Sequence, residues 1–139
     1  MVAWLKLFLS MLCLCVILST SIACGKAEYR LGEEFSLSTG ETASLNGGQL
    51  RVQFLEISED SRCPRNVQCI WEGRVIAVIE VFKENTSQKI ELVEQGLTDT
   101  PANKQFEEYE FVFKILPYPE VEMQISQDEY RLMLTVNKE

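Results

Sequence analysis

Histidine is absent from the 139 residues, and that one gap removes several chemistries together. A serine nucleophile has no imidazole to take its proton. A zinc ion, which needs about four ligands at recognisable spacings, has no imidazole to supplement the thiolates. Basic residues are scarce as well, with 13 Lys and Arg against 21 Asp and Glu. A net charge of −8 argues against a nucleic-acid partner, because neutralising phosphates takes a clustered basic surface. The same balance repels an anionic membrane surface, so any membrane attachment has to come from a lipid or an apolar helix. No Gly-rich loop leads from a strand into a helix to cradle phosphates. No convincing helical period, internal repeat or low-complexity tract appears either.

Long apolar runs are confined to the N-terminus. Residues Met1 to Lys6 hold a single positive charge, Leu7 to Leu18 is a twelve-residue apolar run, and Ser19-Thr20-Ser21-Ile22-Ala23-Cys24-Gly25 closes with small residues. That order is the pattern of a signal peptide over 1–23. A cysteine directly after Ser21-Ile22-Ala23 resembles a bacterial lipobox, although Ser21 stands where Leu is most usual. Cleavage there leaves Cys24 as the first residue, carrying diacylglycerol on its sulfur. The alternatives are simple secretion and an uncleaved anchor helix, since Leu7 to Ala23 is close to the shortest stretch that spans a bilayer, on the order of 17 residues. All three export the domain. With Gly25 after the cysteine in place of an acidic residue, the resemblance to lipoproteins of two-membrane hosts implies the outer membrane if the host has two membranes. Removing 1–23 takes away only Lys6, which leaves 12 basic against 21 acidic residues, or −9.

What remains is one domain of ordinary size, expected as a tether over 24–34 and a folded unit over 35–139. Residues Lys26 to Glu34 are polar, with a short strand possible at Tyr29 to Leu31. From Phe35 onward the period is two: Phe35 to Ser38, then Thr42 to Leu45, then the tight turn Asn46-Gly47-Gly48. Gln49 to Ser58 puts Leu50, Val52 and Phe54 on one parity and Leu55 and Ile57 on the other, which calls for a β-bulge near Phe54. The segment Arg74 to Phe82 is nearly all apolar and β-branched, as in a central strand. Gln88 to Glu94 follows with Ile90 and Leu92 inward, and Gln95 to Lys104, with Gly96 and Pro101, is read as loop. The clearest alternation is Tyr109, Phe111, Phe113 and Ile115 against Glu108, Glu110, Val112 and Lys114. After Pro117-Tyr118-Pro119, the residues Tyr130, Leu132, Leu134 and Val136 form a last strand. About seven strands without a helix predict an all-β antiparallel sandwich of immunoglobulin-like character. Its inner faces should hold Phe35, Leu50, Val52, Ala77, Ile79, Phe111, Phe113, Leu132 and Leu134.

Five cysteines are present, and export decides how they are read. Cys13 and Cys15 leave with the signal segment, and Cys24 is the lipidation site. Cys63 and Cys69 are then an even pair in an oxidising compartment, where a structural disulfide is expected. Arg62 should pair with Glu59 or Asp60 and orient the loop, Ile70 and Trp71 should enter the sheet with Trp71 packed against the disulfide or the core, and Gly73 should mark a bend or close approach. The stretch Asp60-Ser61-Arg62-Cys63-Pro64 through Cys69-Ile70-Trp71 and Gly73, with the later Leu116-Pro117-Tyr118-Pro119 and Asp128-Glu129-Tyr130, resembles a group of small prokaryotic lipoproteins. Glu72 stands where that group more often has a small residue. The resemblance implies an exported β domain with no established activity, and it lends no catalytic residue.

No cofactor or metal is expected. Glu59, Asp60, Asp99 and Asp128 are carboxylates that a calcium ion would favour, but solvated acidic turns are far commoner. Glu107, Glu108 and Glu110 suggest an acid and base pair, yet alternation turns Glu108 and Glu110 to water, where ordinary pKa values do not suit catalysis. Asn85-Thr86-Ser87 matches the glycosylation triplet, which is short enough to arise by chance. Two functional classes follow. One is a lipid-anchored interaction or ligand-binding module with an unidentified protein or small-molecule partner, presenting Arg62, Arg65, Trp71 and Tyr118 from its loops. The other is a redox or other enzyme using Cys63 and Cys69. The first is favoured, and no residue is assigned a catalytic role.

Overall fold

Alternating burial fixes the strands one by one. In the computed structural model, which describes residues 27–96 and 100–139, nine strands appear and no helix. They are β1 (Glu28–Tyr29), β2 (Glu34–Ser38), β3 (Thr42–Leu45), β4 (Leu50–Asp60), β5 (Arg74–Lys83), β6 (Thr86–Gln95), β7 (Ala102–Phe106), β8 (Tyr109–Leu116) and β9 (Arg131–Lys138). Two sheets form, one in the order β1-β3-β4-β5-β6 and the other β2-β9-β8-β7. Every pairing is antiparallel except β1 with β3. The result is a β-sandwich. All nine residues expected on the inner faces are buried, and Phe54, Phe111 and Phe113 are among the largest side chains in the core.

Two expectations need correction. The chain from Glu28 onward is not tether: β1 pairs with β3, Tyr29 stacks on Phe35 with ring centroids 4.4 Å apart, and the Gly32 amide donates to Val136 O. Residues Ala102 to Phe106, read as loop, are β7. The central residues Asn103, Lys104 and Gln105 are all exposed, so β7 has no apolar alternation of its own and is specified by its ladder with β8. A polar, Lys-bearing edge strand also discourages pairing with other chains. These two strands raise the count from about seven to nine.

Strand β5 lies inside its sheet between β4 and β6, as its composition implied, with Val75, Ile76 and Ala77 buried in succession. Strand β4 carries two register shifts, between Phe54 and Glu56 and between Ile57 and Glu59, where one bulge was expected. The first moves the inward parity from Phe54 to Ile57. The second moves it back, so that Asp60 stands opposite the fully buried Val75 and turns its carboxylate into the end of the sandwich. A charged group at an inner position needs partners, and those partners organise this end of the fold.

Candidate functional site

The hairpin between β4 and β5 keeps its ladder beyond the strands, with Ser61 N donating to Arg74 O and Cys63 N to Glu72 O, at 2.8 and 3.1 Å. Gly73, at φ +70°, allows that close approach. A Cβ there would sit 1.8 Å from Ser61 O, so a side chain at this position is excluded. The bend expected at Gly73 is therefore present.

This path buries Arg62, only 4% exposed, against Asp60. Arg62 Nε and Nη2 donate to Asp60 Oδ1 and Oδ2 at 2.9 and 2.6 Å, the two-pronged geometry that suits guanidinium and carboxylate. Tyr130 Oη donates to Asp60 Oδ2 at 3.0 Å. Burial and the Asp60 carboxylate push the Tyr130 hydroxyl up to about 12, so it stays protonated as the donor. Arg62 also reaches the other sheet, donating from Nη1 to Ile115 O and from Nη2 to Pro117 O, both at 2.9 Å.

The reason lies in the sheet edge. Strand β7 pairs with β8 only as far as Ala102 opposite Phe113, so among the described residues the backbone of Ile115 faces a side where no strand continues. Arg62 satisfies its carbonyl, and Glu94 satisfies its amide, accepting from Ile115 N at 2.7 Å. Glu94 is 2% exposed. Its parity matches that of Ile90 and Leu92, so alternation places it inward, although only the apolar members of that face stand out in the sequence. Burial raises the Glu94 pKa by penalising the charged form, and the Ile115 amide and the Arg62 charge partly offset that. No described buried side-chain nitrogen or oxygen lacks a partner.

The sign of the Glu94 shift gives a testable pH dependence. A carboxyl with a folded pKa above its ordinary 4.5 holds its proton more tightly when folded, so its contribution to stability falls as pH rises from 4.5 through the raised value. In Glu94→Gln that falling component should vanish. Thermal melts of both proteins across acidic to neutral pH should show the variant gaining relative to wild type as pH rises. A constant offset between the two would contradict the assignment.

Cys63 and Cys69 form the expected disulfide, with Cα atoms 6.0 Å apart. Cys63 is buried and Cys69 exposed. The closed loop is tied to the segment after β8. Arg65 N donates to Pro119 O at 3.0 Å, and the guanidinium carbons of Arg62 and Arg65 lie 5.0 and 5.1 Å from the Tyr118 ring centroid, within cation–π range.

Of the four residues expected to present side chains, Arg65 is exposed, Tyr118 half-buried, and Arg62 withdrawn into the network just described. Arg62 is therefore a strut and not a contact. Trp71 departs from expectation in the other direction. It is 71% exposed and Ile70 94%, so neither enters the sheet or covers the disulfide. The ladder explains this: Cys63 N bonds to Glu72 O, and β5 begins only at Arg74, leaving Ile70 and Trp71 outside. The exposed large apolar side chains of the described residues are Val67, Ile70, Trp71, Val121 and Met123, all on these two loops. Tyr118 was expected on a presenting loop, and Val121 and Met123 add exposed apolar side chains to that same loop.

The other candidates are dispersed. Glu59 pairs with Arg74 at 2.9 Å, which holds its pKa low, and Lys83 bridges Glu107 and Glu108 at 2.7 Å each. Asp60 is committed to Arg62 and Tyr130. Asp99 and Cys24, like the whole segment 1–23, lie outside the described residues. Among the described residues no group of three or more His, Cys, Asp or Glu side chains gathers as a metal would need. No described helix is long and apolar enough to cross a membrane. Clefts of about 500 and 380 Å³ lie at the opposite end of the sandwich, one beside Tyr29, Arg30 and Asn46, the other beside Lys83, Glu108 and Lys138. Comparison with known proteins returned nothing: no family model, no curated protein and no solved structure matches the chain.

Proposed function

We propose that this protein is an exported, lipid-anchored β-sandwich that acts as an interaction module of the cell envelope, held at the membrane through Cys24 and presenting the paired loops 61–73 and 117–130 to a partner. The carrying observation is that the exposed large apolar side chains of the described residues stand on those two loops. Exposed apolar side chains gathered on two loops that are bonded to each other support a binding surface there. The disulfide and the bond from Arg65 to Pro119 fix its shape in advance, which lowers the ordering cost of binding.

Two measurements test this reading. Intact mass of the protein from its host membrane should begin at Cys24 and carry acyl chains; any other start, or no acyl mass, contradicts the anchor. A crosslinked pull-down should retain a partner with wild type and lose it with an Ile70→Ser, Trp71→Ser double variant. Equal recovery contradicts the module.

The competing reading is redox chemistry at Cys63 and Cys69. A reactive dithiol wants a lowered thiol pKa from a helix N-terminus or free cations. No described helix is near, and the cations on the loop, Arg62 and Arg65, are committed to Asp60 and to the Tyr118 ring. As a structural link closing seven residues, the disulfide should stabilise the fold by about 2 kcal/mol in the loop-entropy model. The Cys63→Ser, Cys69→Ser double variant should accordingly stay folded with a lower melting temperature. Unchanged melting, together with a potential of about −120 to −230 mV like those of exchange catalysts, would favour the redox reading.

A further inference from the structure

We infer that the partner of the paired loops is a protein whose contact face is an apolar pocket rimmed by lysine or arginine, into which Ile70 and Trp71 insert; this rests on the interaction-module reading above. The charges among the apolar residues carry the inference. Glu72 follows Trp71, and Glu120 and Glu122 flank Val121, next to Met123. All three carboxylates are exposed, and none has an ion-pair partner among the described residues. The exposed cation of loop 61–73, Arg65, is already drawn onto Tyr118. The two loops thus expose apolar side chains with carboxylates next to them in the chain.

Two other occupants fit that pattern poorly. Anionic lipid attracts polybasic segments, and here three carboxylates would be carried into the headgroup layer. A second copy meeting this one through the same patch would bring both sets of three carboxylates together with one arginine on each side. A basic-rimmed pocket meets both features at once: the aliphatic and indole surfaces leave water at the centre, and the carboxylates find opposite charge at the rim. Trp, Tyr and Arg are the residues that most often dominate such contacts, and Trp71, Tyr118 and Arg65 are all here. Tyr118 and Arg65 support each other at 5.1 Å, and the disulfide sets the path of the chain up to Ile70.

The test places a benzophenone amino acid at the exposed Gln68 of the full chain in its own host, in the wild-type background and with Glu72→Lys, Glu120→Lys and Glu122→Lys together. All these positions are exposed, so the melting temperature of the triple variant should match wild type. The expected result is a protein adduct whose crosslinked peptide holds apolar residues flanked by Lys or Arg, with a yield that falls at least roughly tenfold on charge reversal, since like charges across an interface disfavour the complex. An adduct of undiminished yield, or one formed on lipid or on a second copy of this chain, overturns the basic-rim inference while leaving a loop contact in place. No adduct, combined with equal pull-down recovery from wild type and the Ile70→Ser, Trp71→Ser variant, overturns the module reading as well.

Discussion

Arg62→Ala is expected to lower the stability of the domain by about 3 to 5 kcal/mol, the range found when one partner of a buried ion pair is removed. The loss has separate sources. The Asp60 carboxylate would stay at an inner position with Tyr130 Oη as its remaining side-chain donor, and the carbonyls of Ile115 and Pro117 would each lose a partner at 2.9 Å. Arg62→Lys should recover only part of this, because an ammonium cannot reach both Asp60 oxygens and two carbonyls from one planar fork. Urea unfolding monitored by circular dichroism gives the comparison. A loss under about 1 kcal/mol for Arg62→Ala would mean that the pair behaves like an exposed one and that the end of the sandwich is wet.

Phe113→Ala should cost a similar amount, about 3 to 5 kcal/mol, for a different reason: it removes a ring that is 1% exposed and leaves a cavity between the sheets. Glu110 shares the strand but faces outward, where its carboxylate accepts from Asn137 and Asn103 at 3.3 and 3.5 Å. Glu110→Ala should change stability by less than roughly 0.5 kcal/mol, the usual range for surface positions. Equal losses from the two changes would contradict the assigned faces of β8.

The sandwich was legible because its strands are half-buried, and a half-buried strand writes its inner face in every second residue. Strands β2, β4, β8 and β9 announce themselves that way. Strand β7 does not, because its exposed centre is polar and its position is set by its hairpin ladder with β8. The second bulge of β4 was illegible for a related reason: Glu59 and Asp60 are both acidic, so nothing in their chemistry said which one turns inward. Register with Val75 decides it. Glu94 was legible in principle, as its parity is that of Ile90 and Leu92, but a carboxyl at an apolar position reads as a strand end until its partner, the Ile115 amide, is known.

The loops show the opposite failure. Trp71 beside a disulfide suggested a buried ring, since a large aromatic gains most from burial. The ladder from Cys63 to Glu72 instead ends the hairpin after Trp71 and leaves it in solvent. That displacement turns a core expectation into a surface one. It also makes Trp71 a reporter of the proposed contact, as the chain's other tryptophan, Trp4, lies in the segment 1–23.

A buried network built on Arg62 holds the two loops as one rigid surface, and amide hydrogen exchange tests this most directly. In wild type the amides of Arg65 and Ile115, which donate to Pro119 O at 3.0 Å and to Glu94 at 2.7 Å, should exchange slowly and together. In Arg62→Lys both should speed up, while the Gly40 amide, bonded to Phe54 O at 2.7 Å elsewhere in the fold, should keep its wild-type protection. Exchange of the Arg65 amide at the free-peptide rate in wild type would contradict the account.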